Sequence, residues 1–138
     1  MVVRANQRHN FVWVGGISDA FGLKMSFSSD GGDAWKGIEL PIPANYGVLS
    51  VGISDSDPGI CLVGAVNLVG ATLDTGNTWK AILSELDVGF FGVAVDPADA
   101  GHFWAGGLKN GVGNSARLYE SIDTGKSWLL VNSFTDQP

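Results

Sequence analysis

Residues 28–35 read SSDGGDAW, residues 72–79 read TLDTGNTW and residues 121–128 read SIDTGKSW. The same octapeptide thus occurs three times in a chain of 138 residues. Each copy opens with a Ser or Thr, carries an Asp two residues on and a Gly at the fifth position, and closes on Trp. This is turn chemistry. The hydroxyl and the carboxylate accept backbone N–H bonds within a few residues, and the Gly (Gly32, Gly76, Gly125) permits positive φ. The closing ring (Trp35, Trp79, Trp128) is large enough to anchor the turn against a core. Read this way, each octapeptide clips one strand to the next.

The spacing extends the reading to the whole chain. The three aspartates, Asp30, Asp74 and Asp123, recur at a period that suits a four-stranded propeller blade of roughly 40–50 residues. A second register agrees: NFVWVGG from Asn10, GICLVGA from Gly59 and GHFWAGG from Gly101 align without gaps. So do VLSVGISDSDP and FFGVAVDPADA upstream of the latter two. Alternating apolar residues bounded by Gly, Asn and Asp predict short strands A to D in every unit. In the second unit these are Val48–Ile53, Ile60–Ala65, Ala71–Leu73 and Thr78–Leu83. No long stretch has helical periodicity. The units run over about 1–44, 45–87 and 88–134, with the octapeptide at each C–D turn. Aligned with the second unit, Met1 falls opposite Ser50, which puts Arg4 where the other units have Ile53 and Val95.

The pattern S/T-x-D-x-G-x-T/S-W resembles the Asp-box, or BNR repeat. It is similar to the repeats of sialidases, xyloglucan-active glycoside hydrolases, sortilin-type receptors and photosystem assembly factors. Two copies fit fully; the first has Ala34 at the Thr/Ser position and lacks that hydroxyl. The resemblance implies an all-β chain of three four-stranded antiparallel blades, and rings of six to eight blades in all. Blades need neighbours on both flat faces. The expectation is therefore half of a six-bladed ring closed by homodimerisation. The alternatives are a trimer giving nine blades and a fragment of a seven-bladed propeller. The C-terminal SFTDQP is a candidate for completing the first strand of a partner copy.

Composition restricts the partners. Hydrophobic residues make up 45% of the chain, and 20 Gly come on top of them. With Gly counted in, an ordinary globular chain reaches only roughly 45–50%. Charged residues are 16% of this chain; the ordinary share is about 25%. Both departures fit either extra buried surface at a subunit interface or a well-packed sheet protein. The net charge is −6, which disfavours nucleic acid and anionic membranes, since both demand a basic footprint. The longest apolar runs, such as VGFFGVAV, are too short to span a bilayer. No secretory signal is visible after Met1, which suggests a cytoplasmic chain by default, although many Asp-box relatives are secreted. Cys61, the only cysteine, sits in an apolar run and reads as a buried, inert thiol.

Little in the sequence speaks for catalysis. Sialidase chemistry, by the resemblance, requires an arginine trio, an Arg-Ile-Pro motif, a Tyr nucleophile and an acid Asp. The chain has only Arg4, Arg8 and Arg117, with Tyr46 and Tyr119, and no Arg-Ile-Pro. A xyloglucan-type hydrolase needs two carboxylates across a groove. Among Asp19, Glu39, Glu85, Asp87 and Glu120, the loop residues Asp19 and Asp87 are weak candidates. His9 and His102 lack a Cys/His cluster at ligand spacing, so no metal or other cofactor is expected. What remains is a binding surface on the B–C and D–A loops, where propeller ligands usually sit. Asp19, Phe21, Tyr46, Asn67, Lys109 and Asn110 supply the aromatic faces, amides and charges that suit sugar hydroxyls or a protein surface. The expected function is a non-enzymatic, oligomeric binding module for carbohydrate or protein. The alternative is a glycoside hydrolase, or a piece of one.

Overall fold

The structure, a computed structural model, describes residues 1–6, 10–18, 22–40, 47–111 and 115–135. Apolar alternation with turn residues at each end gives antiparallel strands throughout. The first sheet has four strands in sequential order: β1 (Val2–Asn6), β2 (Phe11–Ser18), β3 (Gly22–Ser28) and β4 (Lys36–Glu39). The second has seven, again in sequential order. They are β5 (Ser50–Ile53), β6 (Cys61–Gly64), β7 (Val66–Thr72), β8 (Lys80–Val95), β9 (Phe103–Lys109), β10 (Ser115–Ser121) and β11 (Leu129–Thr135).

The 16-residue β8 explains the seven. Its first part, Lys80–Ser84, pairs with β7, and its last part, Val88–Val95, pairs with β9. The bend between them carries Asp87 at φ 63°. Strand D of one four-stranded unit therefore runs without a break into strand A of the next. The chain then reads as three units: β1 to β4, β5 to early β8, and late β8 to β11.

Besides Asp87, read from the sequence as a loop residue and found within β8, two further features depart from the sequence reading. β7 spans seven residues, where the sequence suggested a three-residue strand Ala71–Leu73 after a loop AVNLVG. The loop collapses to a turn at Ala65–Leu68, closed by Ala65 N–H to Leu68 O at 3.0 Å, with Asn67 at φ 69°. Asn tolerates that left-handed conformation where most other side chains do not. The second departure is a register. Val2, not Met1, takes the place of Ser50, because Val2 pairs with Gly15 as Ser50 pairs with Gly64. The connection from strand A to strand B is one residue shorter in the first unit. Arg4 accordingly stands where Gly52 and Ala94 stand, and Ala5 where Ile53 and Val95 stand.

The core lies in the seams between units. In the first seam, Trp13, Met25, Phe27, Ile38 and Leu40 of unit one bury against Val48, Val51, Cys61, Val63, Ala65, Leu68 and Trp79 of unit two. Trp13 packs on Phe27 at 4.5 Å and meets Trp79 edge-on at 5.9 Å and 84°. Edge-to-face contacts of this kind are favoured by the ring quadrupole. The second seam holds two clusters, one around Leu62 and Phe103, the other around Val69, Phe90, Ala105 and Tyr119. Bare backbones let the units approach: a Cβ on Gly52 would sit 2.7 Å from the Val93 carbonyl of unit three. Cys61 is fully buried, and desolvation pushes its thiol well above its ordinary pKa, so it is not a nucleophile.

Candidate functional site

The three clips have one hydrogen-bond scheme. The opening hydroxyl accepts the N–H of the fifth-position Gly, at 2.8 Å for Ser28, 2.8 Å for Thr72 and 2.9 Å for Ser121. The same hydroxyl donates to the Asp two residues on, at 2.8 Å in all three. The carboxylate Oδ1 then accepts the N–H of Ala34, Thr78 or Ser127. Thr78 and Ser127 add a hydroxyl bond to Oδ2 at 2.6 and 2.5 Å; Ala34 has none to give. Donors this close favour the charged form. They hold the carboxyls of Asp74 and Asp123 below the usual range, led by the Thr78 and Ser127 hydroxyls, and Asp123 falls to about 2. Asp30 is lowered chiefly by the Ala34 N–H. These carboxylates are committed to their turns and held in the charged form, which makes them poor acids.

The opposite ends of the strands gather different groups at the second seam. The Asn67 side-chain oxygen accepts the Asp87 N–H at 2.9 Å, and the Asp87 carbonyl accepts the Asn110 N–H at 2.8 Å. The bend of β8, the β6–β7 turn and the end of β9 are thus tied together. Lys109 Nζ reaches Glu85 Oε1 at 3.4 Å beside them. Nearby β8 side chains Leu86 and Phe91 are 71% and 62% exposed. Large apolar groups are more often covered than this. The result is a fixed polar centre with apolar neighbours: the Asp87 carboxylate makes no hydrogen bond among the described residues, and one amide and one ion pair lie close by.

Of the residues expected in a loop-face site, Asn67, Asp87, Lys109 and Asn110 come together here. Asp19, Phe21 and Tyr46 lie outside the described residues. The Asn67 side-chain oxygen is committed to Asp87, and its NH₂ makes no hydrogen bond among the described residues. Glu85, Leu86 and Phe91 were not singled out as ligand contacts. Glu85 and Leu86 lie in the same D–A segment as Asp87. Phe91 falls in a strand A, and strand A of a blade is ordinarily covered on both faces. It lies in the irregular register between Gly89 and Gly92 and is exposed among the described residues.

A third group sits at the other end of β9. His102 lies between Asp96, 3.3 Å from Nδ1, and Glu120, 2.7 Å from Nε2, with its ring 4.9 Å from Trp104. Among the described residues no cluster of three His, Cys, Asp or Glu side chains converges on a metal-sized site, and no helix is long and apolar enough to cross a membrane.

No family model and no curated protein matches this sequence. Solved structures do match its fold. An ancestral GH74 enzyme superposes over 94% of this chain with a TM-score of 0.73 and 16% identity. YCF48 bound to a D1 peptide superposes over 94% with a TM-score of 0.68 and 19% identity. The GH74 xyloglucanase from Xanthomonas campestris superposes over 94% with a TM-score of 0.65 and 16% identity. The fold is that of a β-propeller. The chain spans 20%, 40% and 22% of those three proteins, respectively. Identities this low speak for architecture and leave chemistry to the residues.

Proposed function

We propose that this chain is a non-enzymatic propeller module, assembled into a six-bladed ring from two copies, that binds a carbohydrate or a protein segment on the loop face. The observation that carries the binding reading is the Asn67–Asp87–Asn110 tie beside exposed Leu86 and Phe91. A residue held by two backbone hydrogen bonds is already ordered, so a ligand hydroxyl or amide meets its carboxylate with little further entropy cost. Phe91 offers a ring face of the kind that sugar rings and apolar side chains cover. The propeller neighbours include both glycoside hydrolases and a peptide-bound protein, which supports either ligand class. Asp19, Phe21 and Tyr46 belong to this face on the sequence reading and complete it in the proposal.

The runner-up is hydrolysis of a glucan, favoured by the GH74 neighbours. It needs a second carboxylate opposite Asp87, and Asp19 is the candidate. A glycan array and a xyloglucan oligosaccharide titration on the whole chain, run beside a reducing-sugar assay, decide between them. Binding without sugar release is expected, weakened about tenfold or more in Asp87→Asn, as for a charged hydrogen bond lost. Sugar release abolished by Asp19→Asn or Asp87→Asn overturns the binding-only reading.

A further inference from the structure

The two seams inside the chain show how one unit seats on the next. The clip glycine of the later unit presses on the residue three positions beyond the earlier unit's clip Trp. A Cβ on Gly76 would lie 2.6 Å from Ile38 Cδ1, and one on Gly125 would lie 2.9 Å from Ile82 Cδ1. Gly32, the first of the series, has only its own Trp35 ring nearby, at 3.6 Å. Val131, the last of the seats, has no described glycine upon it and is 45% exposed.

The same mismatch recurs across both outer faces. On the first unit, Val3 occupies the place of Val51, and it is 46% exposed where Val51 is fully buried. Val12 and Val14 stand where Cys61 and Val63 stand, yet remain half-buried, and Trp35 is open where Trp79 is covered. On the last unit, Trp104 and Leu118 are half-buried in the places of fully buried Leu62 and Val69. One chain therefore carries both halves of a third seam, split between its two ends. Two positions depart from the apolar pattern. The first face has Lys24 in the place of Leu68, and the last face has Glu120 in the place of Phe27 and Ala71.

We propose that the missing neighbour is a second copy, joined head to tail, with Gly32 and Trp35 of one chain seated on Val131 and Trp104 of the next. This deepens the ring reading above and is independent of what the loop face binds. Such a contact is heterologous: each seam needs one first-unit face and one last-unit face. The pairing repeats the two seams inside the chain, in which an early face of one unit always meets a late face of the unit before it.

That geometry has a test which a face-to-face dimer fails. Val131→Glu and Val3→Glu each change a residue already about half exposed in the single chain. Light scattering across a dilution series should give a dimer for the parent chain and monomers for each variant alone. Mixing the two variants should restore a one-to-one dimer, since the mixture still contains one intact face of each kind. Circular dichroism checks that the monomers keep their strands. Lys24→Glu with Val131→Lys is a second pair should either first variant lose them, with at least a tenfold rise in dissociation constant expected for each alone. A parent chain that stays monomeric and folded at every concentration overturns the proposal. So does a Val131→Glu chain that still dimerises, which means like faces meet. A parent chain that forms aggregates of no defined mass also overturns it and assigns the faces to further blades of a longer protein. Ligand binding is read separately, so loss of one result leaves the other standing.

Discussion

The second clip and the first have the same eight-residue design and nearly the same hydrogen bonds, yet their tryptophans live in different surroundings. Trp79 is 8% exposed and Trp35 is 48% exposed. Both donate their indole N–H back into the turn, to Gly76 O at 3.2 Å and Gly32 O at 2.8 Å. The difference is the neighbour: Trp79 lies against Trp13 of the preceding unit, and no described residue does this for Trp35. The clip's shape is local, whereas its contribution to stability depends on what stands beside it. Repeat proteins behave this way, with each unit weighted by its nearest-neighbour interfaces.

The largest expected effect comes from removing the two rings. Trp79→Ala should cost about 3–5 kcal/mol in urea unfolding, the range for emptying a buried aromatic site. Trp35→Ala should cost about 1 kcal/mol in dilute solution, because half of that ring is already in water. Equal costs would break the comparison. A Trp35 cost that grows with protein concentration would sharpen it, since the ring would then be covered by a second copy.

Next come the clip glycines. Gly76 sits at φ 82° with Ile38 at its back; Gly32 sits at φ 102° with only its own Trp35 ring there, in ordinary contact at 3.6 Å. Gly76→Ala should add overpacking, about 1–3 kcal/mol, to a left-handed strain of about 1–2 kcal/mol. Gly32→Ala should show the strain alone. Denaturant midpoints of the pair measure the seam contact by difference.

The smallest effect concerns the hydroxyl that Ala34 lacks. Asp123, with a hydroxyl donor, titrates at about 2 in the folded chain, below its ordinary 3.8. The folded state thus holds the proton less tightly than the unfolded state. Stability from this carboxylate is complete above the ordinary value and disappears as pH falls through about 2. Ala34→Ser should give Asp30 the missing bond and lower its carboxyl further, visible in a carbon NMR titration of the side chain. An unchanged Asp30 titration would mean that the added hydroxyl does not reach it.

The all-β, antiparallel architecture was legible because strands and turns are written at periods of two residues and of about one unit. The clip was legible as a turn because its bonds close within a few residues. The candidate site was legible only in part. Asn67, Asp87, Lys109 and Asn110 were marked by residue type and loop position. Their meeting was not, since Asn67 and Asp87 join through a side chain reaching across 20 residues. The length of β7 was missed because a left-handed Asn can replace a loop. The register of β1 was missed because gapless alignment cannot see a connection shortened by one residue.

By itself, then, the sequence determined the repeating unit, its turns and the apolar identity of each seam residue, since these follow from local backbone preferences and alternation. Tertiary structure alone decided which of those equivalent residues are covered. It buried Trp79 and left Trp35 open, seated Gly76 and left Gly32 without a neighbouring unit, and left Phe91 exposed on β8. The physical reason is that burial belongs to pairs of units, and a residue's own neighbours in the chain do not specify which unit lies across from it.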